Sequence, residues 1–177
     1  MLILFLPTLC QFGVQSLLPV WAKQILHVGS DGLGYLVMTS GVGALCGSLF
    51  LASHSNIERK GLALIVVTFA SAGIAILLAL SNTFLTSLPI LFVFGMLSAL
   101  AGSLNMTMIQ TSVEEKMRGR VLSISMMVFS FAPLGVAPMG AVAERFGTPT
   151  VYAVSGIALF LFATLFVLLN RNFKELR

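Results

Sequence analysis

Apolar stretches long enough to cross a bilayer recur six times along this chain: Leu2 to Ala22, Leu33 to Ser53, Leu62 to Ser81, Leu85 to Gln110, Val121 to Ala143 and Pro149 to Leu169. A hydrocarbon core about 30 Å thick takes roughly 20 residues of helix. From Leu62 to Val113 no charged residue occurs, over two stretches joined by the polar turn Ser81-Asn82-Thr83. The pattern predicts an all-α membrane protein with six transmembrane helices, forming a single domain over residues 1–177. The first stretch lacks the positive n-region of a signal peptide and outruns the usual apolar region. It starts without a polar flank, which predicts that further chain precedes Met1.

Composition sharpens the picture. Charged residues are 9% and hydrophobic residues 58% of the chain, against about 25% charged in a soluble domain. The connecting loops are too short for a separate soluble domain, so function rests on the spans and their rims. The net charge of +4 is scattered over loop ends rather than gathered on one face. It therefore points to membrane lipids and not to nucleic acid. Cys10 and Cys46 lie in different spans with no CxxC partner, which argues against a disulfide or a metal site. No cofactor motif is present.

The basic residues set an orientation. Arg59, Lys60, Lys116, Arg118, Arg120, Arg171, Lys174 and Arg177 fall on one side of the six spans, and only Lys23 and Arg145 on the other. The excess of Lys and Arg marks the cytoplasmic side, so both termini are expected there.

The chain also repeats itself. Glu58-Arg59-Lys60-Gly61 follows the second span and Glu144-Arg145-Phe146-Gly147 the fifth, 86 residues apart. Each copy closes the loop between the second and third helix of a triplet. Three spans per repeat invert the second copy in the membrane, an arrangement found in transporters. The third and sixth spans are nearly featureless and read as lipid-facing. The first, second, fourth and fifth carry the polar and small residues and read as interior.

Candidate chemistry follows that division. In the first span Thr8, Gln11 and Gln15 share a stripe, and two amides at i and i+4 place donors and acceptors near mid-membrane, where transporters hold substrates. Structural hydrogen bonding is the alternative. Gly43 and Gly47 form a GxxxG, with Ser40 one turn earlier, suited to close helix approach. Gly95, Ser98, Gly102 and Asn105 follow helical spacing in the fourth span, with Gln110 near its end. Asn105 reads as interhelical glue, worth about 1 kcal/mol, or as a gate. The fifth span combines Met126, Met127, Phe129 and Phe131 with Pro133 and Pro138. The sulfur and aromatic side chains offer an adaptable apolar wall, and the prolines permit bending. The loop from Glu114 to Arg120 is a solvated anchor whose Arg118 and Arg120 are placed to bridge helix ends. No Asp or Glu lies inside a span, and no P-loop, HExxH or GxSxG occurs. No catalytic pair can be assembled, so the chain is not expected to be an enzyme.

These residues resemble the C-terminal half of a major facilitator superfamily transporter over essentially the whole chain. Asn105, Gln110, Val113 and Arg118-Gly119-Arg120-Val121 are similar to the drug and siderophore exporter branch, which includes macrolide efflux proteins and the enterobactin exporter. Pro133, Gly135, Pro138 and Gly140 with Glu144 to Gly147 resemble the end of the eleventh helix there. Gly43, Gly47, Arg59 and Gly61 resemble the weaker second copy of the superfamily's loop motif, although its acidic residue has no counterpart here. The resemblance implies a twelve-helix transporter, of which six helices are present, with the first, second, fourth and fifth lining the pathway. The expected function is that of half a secondary active exporter of small amphipathic molecules, working by alternating access in a bacterial cytoplasmic membrane. It would be completed by the missing N-terminal six-helix half or by a second copy. A membrane scaffold or assembly subunit that transports nothing is the alternative.

Overall fold

The computed structural model describes residues 11–53, 60–112 and 115–169, and every regular element among them is helical. Residues 11–16 are helical and lead, after a turn at Leu17, into α1 (Leu18–Gln24). There follow α2 (Ser30–Ser53), α3 (Lys60–Leu80), α4 (Phe84–Ser112), α5 (Glu115–Phe146) and α6 (Thr148–Leu169). Among the described residues four helical segments are long and apolar enough to cross a bilayer: Ser30–Ser53, Gly61–Leu80, Phe84–Met108 and Thr148–Leu165. The first expected span is described only from residue 11, and the stretch 121–143 lies within α5.

Two expected loops prove to be helix. The charged segment before Arg120 becomes the first turns of α5, from Glu115 onward. Glu, Lys, Met and Arg all favour helix, and a carboxylate in the first turn suits the helix dipole. The helix therefore continues past the apolar span. Likewise Glu144, Arg145 and Phe146 end α5 rather than forming a loop, and Gly147 alone links it to α6. Gly147 has φ +84°, and its N–H bonds the Ala143 carbonyl at 2.9 Å, a left-handed helix stop that glycine adopts without a Cβ clash. Its counterpart in the repeat, Gly61, sits inside the first turn of α3. The two motif glycines match in sequence and differ in conformation.

Helix contacts obey the inverted repeat. α2 crosses α4 where Gly43, Gly47 and Gly95 bring backbones together, Gly43 against the Phe92 carbonyl and Gly95 against that of Ser40. A Cβ on Gly47 would lie 2.5 Å from the Met96 oxygen. α3 packs along α6 through Ala72, Ser71, Leu159 and Gly156, with Phe69 and Phe160 edge to face at 5.3 Å. Exchanging the triplets turns the α2–α4 pair into a pair of α5 with the first helix, and leaves α3–α6 unchanged. That third contact is present, since Gly13 meets Met139. The third and sixth spans are thus not simply lipid-facing. Each buries one stripe against the other and exposes the rest, as Tyr152, Ser155 and Leu159 against Val154, Leu161 and Leu165 show in α6.

Among the described residues the largest buried cluster lies at one end. Val14, Leu17, Leu18, Trp21 and Ala22 of the first helix join Leu36, Leu78, Leu91, Phe94, Ala143, Val151 and Tyr152 in one cluster. All six helices contribute, each near the end that carries the connections 25–29, 81–83 and Gly147. At the opposite end a second cluster holds Val67, Leu100, Ala101 and Leu104 with Leu51 and Ala63, drawn from α2, α3 and α4. Polar groups near the tight turn are satisfied locally: the Ser81 hydroxyl lies 2.9 Å from those of both Thr86 and Ser87, and Ser87 donates to the Thr83 carbonyl at 2.8 Å.

Candidate transport pathway

The first helix loosens where the pathway candidates lie: Pro19 has no N–H to offer the Gln15 carbonyl, and Leu17 forms a turn whose N–H still bonds the Gly13 carbonyl and whose carbonyl accepts the Trp21 N–H. One residue before Gln15, the Val14 carbonyl accepts the buried Tyr152 hydroxyl at 3.2 Å, across 138 residues of sequence. Tyr152 in turn carries Trp21, ring centroids 6.0 Å apart. Next to this anchored face, Gln15 is exposed together with Phe12 and Ser16, while Gln11 is half-buried. Gln15 thus faces away from the bundle, where no neighbouring helix of these residues covers it.

The expected candidates do not gather at one level. Gly13 meets Met139 of α5, which fixes the register of the two helices. Met126 is thirteen residues earlier on α5, about 20 Å along its axis at 1.5 Å per residue. Exposed Met126 and Met127 therefore belong to the end away from the six-helix cluster. Half-buried Asn105 is at that end too, one residue beyond Leu104 of the second cluster. Gln11 and Gln15 form one tier, and Met126 with Asn105 another. The sequence expects the two Gln near mid-membrane and Asn105 as interhelical glue or a gate, and helical periodicity alone gives each a face without fixing how the helices register.

Other candidates are resolved only in part. Arg120 is exposed in the first turns of α5, and Gly61 is half-buried in α3. The backbone at Gln110, Arg118, Phe129, Pro133 and Pro138 is helical, and α5 runs through both prolines without interruption; their side chains lie outside the described residues, as does Arg59 altogether. Sequence reasoning missed Gly13, Pro19, Trp21, Thr148 and Tyr152. The signals were modest: a proline inside an apolar run, and the chain's single Trp close to a span end.

Residues 1–176 match the Major Facilitator Superfamily. The chain belongs to that family. It is a family of membrane transporters rather than enzymes, and its membership makes this facilitator chain an integral membrane protein. Two curated relatives are similar. One is the staphyloferrin A transporter of Staphylococcus aureus, 26% identical over 166 residues, covering 92% of this chain and 41% of the relative. The other is the enterobactin exporter EntS of Citrobacter koseri, 26% identical over 152 residues, covering 85% of this chain and 36% of the relative. The facilitator chain thus spans less than half the length of either. No solved structure matches it.

Proposed function

We propose that this chain is one six-helix half of a secondary active exporter that moves small amphipathic molecules by alternating access across a bacterial cytoplasmic membrane. The observation that carries the reading is the closure of one end: among the described residues all six helices converge on one cluster there, and the cluster described at the other end draws on α2, α3 and α4. Alternating access requires such a pathway, shut on one side while the other stays open. The exposed amide of Gln15 and the exposed sulfurs of Met126 and Met127 provide uncharged contacts at two depths. They suit a substrate with apolar surface and a few hydrogen-bonding groups, and the small molecules named for the two relatives are the first to try. Export is tested by loading cells that lack the intact protein with labelled enterobactin or staphyloferrin A and following efflux with and without it. Faster efflux when it is restored supports the reading. Equal efflux across these and a wider panel of amphipathic compounds removes it.

The basic side is assigned to the cytoplasm. Eight Lys and Arg residues against two orient the helices, so the closed end faces outward. A reporter active only in the cytoplasm, fused after Arg177, should be active. Replacing Lys116, Arg118 and Arg120 by Gln should lower that activity by making insertion mixed. A silent fusion to the unaltered protein would reverse the assignment.

A further inference from the structure

We infer that the closed end holds a buried water molecule that bridges the Trp21 indole N–H and the Thr148 hydroxyl, tying the first helix to the joint between α5 and α6. Trp21 and Thr148 are both fully buried. Among the described residues neither the indole Nε1 of Trp21 nor the hydroxyl of Thr148 has a hydrogen-bond partner. A buried polar atom without a partner is costly, and folded proteins almost always supply one. The two groups share one neighbourhood. Thr148 lies one turn before Tyr152 on the buried stripe of α6, and the Tyr152 ring sits 6.0 Å from that of Trp21, centroid to centroid. The one hydroxyl hydrogen of Tyr152 goes to the Val14 carbonyl, so Tyr152 donates to neither.

The donor set selects the ligand. An indole N–H only donates, and a hydroxyl donates and accepts. What joins them is a small acceptor that can also donate. A water molecule buried in a protein typically makes about three hydrogen bonds to groups that otherwise lack them. Its hydrogens need acceptors, and a helix end supplies them, since the last four carbonyls have no partner within the helix. α5 ends at Phe146, two residues before Thr148. Ala143 there accepts the Gly147 N–H and Phe146 the Thr150 hydroxyl, and a carbonyl oxygen has two lone pairs. The joint also has room: apart from its chain neighbours, a Cβ on Gly147 would meet only the Pro149 Cδ, at 3.6 Å. A small anion would suit the same two donors, but no residue of the surrounding cluster carries a charge, and Lys23 and Arg145 are exposed. An ion buried without a countercharge costs far more than a neutral molecule. The ligand is therefore water.

Trp21 is the only tryptophan in these 177 residues, so its indole N–H can be observed alone. The measurement is magnetisation transfer from water to that N–H, by NMR of the intact protein in nanodiscs with any tryptophan elsewhere replaced by Phe. Transfer should be seen although the indole is buried. Thr148→Val, which removes the hydroxyl at nearly constant shape, should weaken the water's binding by roughly two- to tenfold, the worth of one hydrogen bond, and lower the transfer. Thr148→Ser, which keeps the hydroxyl, should preserve it. Transfer that is absent from the unaltered protein, or that Thr148→Val leaves equal or raises, overturns the bridge. Melting gives a second reading with opposite signs for the two cases. A hydroxyl that holds the water is missed when removed, so the Tm of Thr148→Val should fall; a hydroxyl with no partner at all is better absent, and a higher Tm refutes the water. If Thr148→Val does not fold, the presence or absence of transfer in the unaltered protein decides alone. No substrate enters either measurement, so a failed export assay leaves the result standing.

Discussion

Gly95→Ala should push α2 and α4 apart and cost about 1–3 kcal/mol of stability, the usual penalty for overfilling a packed contact. The added carbon meets the Ser40 carbonyl oxygen, and at Gly43 it meets that of Phe92. These are backbone atoms, which cannot rotate away as a side chain would. Gly41 and Gly102 lie on the same two helices with open space around them. Alanine there removes the glycine penalty of about 1 kcal/mol in a helix and should be neutral or stabilising. Thermal unfolding in detergent, followed by helical circular dichroism, separates the two groups. Indistinguishable melting of Gly95→Ala and Gly102→Ala would mean that the crossing is looser than described. Gly43→Ala and Gly95→Ala together should cost less than their sum, because the first already opens the space that the second needs.

Gln15→Leu should lower export of substrates that hydrogen-bond to it by roughly two- to tenfold, the loss of one net hydrogen bond. Membrane insertion should be intact, because leucine favours the bilayer more than an amide does. Melting should also hold, since Gln15 is exposed in this bundle. Gln11→Leu differs, because Gln11 is half-buried, and a change there should alter stability along with export. Initial efflux rates over a compound panel give the reading. Unaltered rates for every compound would take Gln15 out of the pathway. The separation of about 20 Å from Met126 adds a sharper condition, because sites more than about 10 Å apart without shared partners act additively. Strong coupling between Gln15→Leu and Met126→Ala would show that the two tiers meet.

The helices themselves were legible because lipid enforces a simple pattern, roughly 20 apolar residues between polar breaks. Their ends were less so. Glu115 to Arg120 is polar enough for a loop and equally suited to helix in water, and only the structure decides between them. Gly43 and Gly47 announced a close approach without naming α4 as the partner. Sequence also could not separate Gly43, pressed against backbone, from Gly41 in open space two residues away. The motif shared by Gly61 and Gly147 supported the correct inverted repeat although the two glycines adopt different conformations. The closed end was hardest to foresee. Leu36, Leu78, Leu91 and Phe94 look like any other membrane residues until the fold brings them together.

The cluster at the closed end has an electrical consequence. From Val14 to Trp21 it is about 10 Å deep along the first helix, roughly a third of a 30 Å hydrocarbon core. When water fills the rest of the passage, most of the membrane voltage falls across that layer, and the field there is correspondingly steep. A unit charge moved through it gains or loses about 2.3 kcal/mol per 100 mV. No residue of the cluster named above carries a charge, and the nearest one on the first helix is Lys23, one residue beyond Ala22 at the outer edge of the layer. Any dependence of transport on voltage then belongs to what passes through, or to parts of the protein beyond this layer.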